Sequence, residues 1–118
     1  MGKHEERDVD RLMSILDHCD RIESTYERID KSYEIFSKDA DFRDAMLMNI
    51  VQIGEIAARL SDECRDRLSE LPWFNIIGTR NIIVHGYIKV DDEIVWNIIE
   101  NDIPALKTRI EQDIMSCE

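Results

Sequence analysis

The sequence predicts an all-α protein, an antiparallel bundle of four main helices with one additional short helix. Three observations predict it. Apolar residues recur at spacings of three and four in each long segment, the period of a helix with one buried face. The 118 residues include only four glycines and two prolines, too few for a turn-rich β fold. Hydrophobic content of 43% against 35% charged residues suits amphipathic helices around a shared core. At this length the chain reads as a single domain, residues 1–118.

The first helix is predicted from about Arg7 to Tyr33, on Val9, Leu12, Leu16, Cys19, Ile22, Tyr26, Ile29 and Tyr33. His4 and His18 are read as solvated, and a helix would hold them roughly 21 Å apart, too far to share a metal. The polar stretch from Ser37 to Asp41 then offers Asp39 or Asp41 as an N-cap. A second helix is predicted from Phe42 to Leu60, with Phe42, Ala45, Met46, Ile50, Ile53, Ala57 and Leu60 inward. Met13, Met46 and Met48 read as gap-fillers of such a core. Gly54 interrupts the second helix at about 1 kcal/mol against alanine, and a mid-helix glycine usually marks the close approach of another backbone. Glu55, next to it, reads either as a solvated carboxylate or as a group that orients a site.

Ser61-Asp62-Glu63 opens a short helical turn with a capping signature. The central helix follows Pro72, a good first helical residue, and Ile76, Ile77, Ile83 and Val84 are its expected buried stripe. Gly86 is expected to end it in the left-handed conformation, leaving His85 in the final turn. After Ile88-Lys89-Val90, Asp91 is the expected N-cap of the last helix, with Asp92 and Glu93 in its first turn. That helix carries Ile94, Val95, Ile98, Ile99, Ile103, Leu106, Ile110 and Ile114, and Pro104 inside the pattern should kink it.

Composition narrows the function classes. No apolar run approaches a membrane span and the N-terminus lacks a signal-peptide core, so a cytoplasmic protein is expected. Cys19, Cys64 and Cys117 have no CxxC spacing, which points to reduced thiols rather than a disulfide framework or zinc site. A net charge of −11 argues against non-specific nucleic-acid binding. Divided into residues 1–30, 31–58, 59–89 and 91–118, the chain is acidic in every segment but 59–89, which holds five basic and four acidic side chains, a margin small enough to arise by chance.

That stretch holds Arg80 and His85 on an otherwise apolar helix. Five residues of helix separate them by roughly 140° and about 7.5 Å, so arginine must use its length to reach the imidazole's neighbourhood. A fixed cation and a titrating base are the minimum for RNA cleavage without a metal. The base takes a ribose 2′-hydroxyl proton and the guanidinium neutralises charge on the phosphorus oxygens. No His/Asp/Glu group has metal-ligand spacing, and no cofactor motif is present. A structural reading stands beside this one: Arg80 paired with a carboxylate such as Glu55, and His85 capping backbone carbonyls. One histidine also cannot serve as both base and acid. A two-fold dimer would supply the second, with the helix bearing Gly78 and Gly86 as its seam.

Arg80-x-x-x-x-His85-x-Tyr87 resembles the R-x-x-x-x-H-x-Y signature of the HepT toxins, within the HEPN superfamily of helical RNases. The resemblance extends through Ile53-Gly54-Glu55, the Leu60-Ser61 helix end, Pro72-Trp73 with Ile77-Gly78, Arg80-Asn81, and Val95-Trp96 with Asp102-Ile103-Pro104. It covers essentially the whole chain after Asp41, while the first helix agrees in pattern only. The resemblance implies a HEPN-like homodimer, with assembly beyond two copies left open, whose motif segments face a shared cleft. It implies a type VII toxin acting on RNA such as tRNA or mRNA, with Arg80 and His85 catalytic and Asn81 and Glu55 supporting. Asn81 would bind phosphate or hold the His85 tautomer. It implies as partner an MntA-like nucleotidyltransferase antitoxin that silences the toxin by transferring AMP to Tyr87. No cofactor and no membrane partner is implied. The runner-up is a nucleotide- or partner-binding module that docks the nucleotidyltransferase without cleaving RNA.

Overall fold

A computed structural model describes residues 3–116, with the side chains of residues 7–116. His4, expected at the surface, and Cys117 lie outside the described side chains. Among the described residues the structure is helical throughout, without strands: α1 (Lys3–Arg28), α2 (Tyr33–Lys38), α3 (Ala40–Arg59), α4 (Asp62–Arg67), α5 (Trp73–Gly86), α6 (Asp92–Asn97) and α7 (Ile103–Ser116). A 3-10 turn (Tyr87–Lys89) follows α5, and a π turn (Ile98–Asp102) joins α6 to α7.

The expected caps form. Asp39 accepts from the N–H groups of Asp41 and Phe42 ahead of α3, Ser61 from Cys64 ahead of α4, and Asp91 from Glu93 ahead of α6. Each satisfies backbone donors that the first helical turn would leave unpaired. Ser61 also ties α4 to α1, because the carboxylate of buried Asp8 accepts from its N–H at 3.0 Å and its hydroxyl at 2.5 Å.

α3 is the hub, packing against α1 on one side and α5 on the other, while α1 also meets α7. Leu12, Ile15, Cys19 and Ile22 of α1 close on Met46, Leu47, Ile50, Ile53 and Ala57 of α3 and on Ile103, Leu106 and Ile110 of α7. Trp96 closes one end of this core, its ring centroid 5.3 Å from Tyr26, 5.2 Å from Phe36 and 5.8 Å from Tyr33. Among the described residues, no helix is long and apolar enough to cross a membrane.

The expected first helix divides into two. The chain leaves α1 at Arg28 and reverses through Asp30 and Lys31, whose φ angles of 54° and 57° are left-handed. Lys31 N–H closes the helix end on Tyr26 C=O at 2.9 Å, and Ser32 then caps α2. The apolar period runs on because Ile29 and Phe36 both enter the core on either side of the break. His18 is half-buried rather than solvated, with Nδ1 2.8 Å from Asn49 Oδ1. Ala45 and Ile94 face outward, against expectation. The irregularity expected at Pro104 takes the form of the π turn, in which Ile103 N–H reaches back to Ile98 C=O. This wider turn lies just ahead of a proline that cannot donate to the ladder.

Candidate active site on helix 5

The candidate residues lie along the seam of α3 and α5. Gly54 explains how close the two helices come. A Cβ there would collide with the Cβ of Arg80, lie 2.9 Å from its Cγ and 3.3 Å from the Ile76 carbonyl oxygen. The mid-helix glycine is therefore the contact that lays the stem of Arg80 directly on α3.

The next residue of α3, Glu55, receives the guanidinium. Its Oε1 accepts from Arg80 Nε at 2.7 Å and also from Nη2, and Arg80 Nη1 donates to Asn81 Oδ1. The side chain of Arg80 remains 27% exposed and that of Glu55 32%. Arginine has five N–H donors in a rigid fork. With three directed into the protein, two remain for an incoming acceptor. Asn81 thus engages Arg80 and not His85, so it does not fix the imidazole tautomer in this structure.

His85 is exposed in the last turn of α5. Val84, expected in the buried stripe, is also exposed, while Ile76 and Ile83 are buried and Ile77 is half-buried. Gly86 does not adopt the left-handed conformation. Its φ is −151°, and the chain passes straight into the 3-10 turn, with Tyr87 in the right-handed region. Tyr87 therefore stays beside α3 instead of being turned away by a reversal.

The tyrosine is 45% exposed, and its hydroxyl donates to Asp44 Oδ1 of α3. The hydrogen bond to that carboxylate holds the phenol pKa above its usual value, with partial desolvation acting in the same direction. The Arg43 guanidinium carbon lies 5.3 Å from the Tyr87 ring centroid, and Arg43 Nε bonds Asp92 Oδ1 at 2.7 Å. Nothing in the sequence marks Asp44 or Arg43 as neighbours of Tyr87, 43 residues beyond Asp44. Asp92 was legible only as a residue of the α6 first turn. Among the described residues, no group of three or more His, Cys, Asp or Glu is placed to hold a metal ion.

Among the described residues the structure is thus helical, with Arg80 half-buried and His85 exposed on one helix. Comparison with known proteins supplies the class and then the family. The family model described as ribonuclease HepT-like matches residues 15–112, and the chain belongs to that family. The matched span includes Glu55, Arg80, Asn81, His85 and Tyr87.

Among curated relatives, a protein of Caldanaerobacter subterraneus subsp. tengcongensis named as an RNase is 32% identical, covering 86% of this chain and 88% of its own. One of Methanocaldococcus jannaschii, also named as an RNase, is 29% identical over 70% of this chain and 75% of its own. A "Probable ribonuclease HepT" of Thermococcus cleftensis is 27% identical over 80% and 94%. No solved structure matches the chain.

Proposed function

We propose that this chain is a metal-independent endoribonuclease toxin of a type VII pair, acting as a homodimeric antiparallel helical bundle in the cytoplasm. His85 takes the proton from a ribose 2′-hydroxyl, whose oxygen attacks the adjacent phosphorus as the 5′ oxygen departs. Arg80, anchored by Glu55 and Asn81, directs its remaining N–H groups at the non-bridging oxygens, where charge grows. A second copy's imidazole returns a proton to the departing oxygen. Tyr87 is the switch: an AMP transferred to its hydroxyl by an MntA-like nucleotidyltransferase adds bulk and negative charge near a site that must receive phosphate.

The observation that carries this reading is the accessibility of both groups on one helix of a HepT-like chain, with His85 exposed and Arg80 tethered but open to solvent. The dimer has separate support. Phe74, 89% exposed, stands with half-exposed Ile82 and Ile94 on a groove of about 380 Å³ between α5 and α6, whose walls also carry Asn75, Thr79, Asn97 and Asp102. An apolar patch of this kind on a strongly acidic chain suits an interface between copies.

Expression without a nucleotidyltransferase tests the function. Wild type should arrest growth and His85→Ala should not, and the purified protein should cleave RNA in EDTA. Equal tolerance of both chains would replace the toxin with a docking module, and loss of cleavage on chelation would overturn the metal-free chemistry.

A further inference from the structure

Of the side chains in the 3-10 turn, Tyr87 is the one tied by its functional group to another helix. Its hydroxyl donates to Asp44, an exposed residue of α3, so the acceptor and the phenol oxygen can both be reached from solvent. Arg43 lies against the ring and is itself fixed to Asp92 of α6. The phenol is thus oriented at two points, by a carboxylate at its oxygen and a cation at its face. A protonated phenol is a poor nucleophile, and a carboxylate within hydrogen-bond reach of its proton has the geometry of a general base.

We propose that Asp44 is the proton acceptor that arms Tyr87 for nucleotidyl transfer; the assignment rests on the reading of Tyr87 as the modified residue. The co-reactants are a nucleoside triphosphate and the nucleotidyltransferase that presents it. The phenol oxygen bonds to the α-phosphorus, and the bond from that phosphorus to the oxygen bridging to the β-phosphate breaks. Pyrophosphate leaves with the electron pair, and the phenol proton passes to Asp44 Oδ1. The product no longer has a hydroxyl proton to donate, so modification also removes the tie between α3 and the turn that follows His85.

The test uses the full chain with a purified MntA-type nucleotidyltransferase, ATP and magnesium, following AMP addition by intact mass and locating it by peptide mapping. Wild type, Asp44→Asn and Asp44→Glu are compared from neutral to alkaline pH, with Tyr87→Phe as the blank. Circular dichroism confirms that each variant is folded. The charged groups meeting Tyr87 are Asp44 and Arg43 of α3, with Asp92 of α6 behind Arg43, so over this range the phenol itself is the group expected to ionise.

Wild type should gain AMP on Tyr87, and Asp44→Asn should be slower by about 100-fold near neutrality. The variant's deficit should shrink as pH rises and phenolate forms unaided, and Asp44→Glu should recover part of the rate. Equal rates for wild type and Asp44→Asn overturn the assignment while leaving Tyr87 as the modified residue. A deficit that is the same at every pH makes Asp44 a tether and also overturns it. An unmodified Tyr87 in wild type overturns both readings together.

Discussion

Gly54 of α3 lies so close to Arg80 of α5 that a methyl group on the glycine would share its space with the arginine side chain. Gly54→Ala should therefore cost stability by overpacking, about 1–3 kcal/mol, offset by about 1 kcal/mol of improved helix propensity. Gly78 gives the opposite expectation, since a Cβ there meets nothing within 4 Å. In an isolated copy Gly78→Ala should gain up to about 1 kcal/mol, read by urea denaturation at dilutions where copies are apart. On the dimer reading that gain should turn to a loss at concentrations where the copies associate, because the second copy fills the space beside Gly78.

Glu55→Gln keeps an oxygen for Arg80 but removes the charge. Because the two side chains are 27% and 32% exposed, the stability change should stay within about 1 kcal/mol. On the ribonuclease reading the cost falls on cleavage, since a guanidinium held less firmly misses its phosphate more often. A drop of roughly tenfold to a hundredfold is expected, mainly in kcat, with thermal stability nearly unchanged.

Ser61 serves two structures at once, accepting from Cys64 N–H at 3.1 Å and donating to Asp8 at 2.5 Å. Ser61→Ala would remove the cap of α4 and one of the two donors to a buried carboxylate. The expected loss is about 2 kcal/mol, seen as a lower denaturant midpoint.

The phenol of Tyr87 is held above its usual pKa, chiefly by its hydrogen bond to Asp44. The neutral phenol donates to the carboxylate, whereas a phenolate would be repelled by it, so ionisation moves to higher pH. Asp44→Asn should move the Tyr87 ionisation back toward lower pH. Difference absorbance near 295 nm between wild type and variant reads this directly, with Tyr87→Phe identifying the contribution. Tyr26 and Tyr33 are also raised, by burial and by neighbouring acids other than Asp44, so the substitution leaves them as they are and they cancel in the difference.

What the sequence made legible follows a physical division. Capping residues act within three positions of themselves, so Asp39, Ser61 and Asp91 could be read before any fold was known. Gly54 was legible as a close approach, and Glu55 as a possible partner of Arg80, although not their joint role in seating one side chain. The break after Arg28 was hidden because aspartate and lysine, not glycine, take the left-handed positions. Gly86 misled in the reverse sense: the glycine is present, but its conformational freedom is not spent on a left-handed φ. Val84 and Ile94 lie outside the core although their spacing admits them, since periodicity cannot tell a core face from one awaiting a partner. Asp44 stayed invisible because its contact with Tyr87 depends on how α3 lies along α5.

The tie between Arg80 and Glu55 has a bearing on how RNA would be held. A cation already sharing its charge with a carboxylate displaces few ions from a polyanion, and single-stranded nucleic acid loses about 0.7 in log affinity per log salt for each phosphate neutralised. On a chain of net charge −11, tight binding would thus have to come from shape and stacking. Selectivity of that kind would persist at ionic strengths that strip RNA from a basic groove.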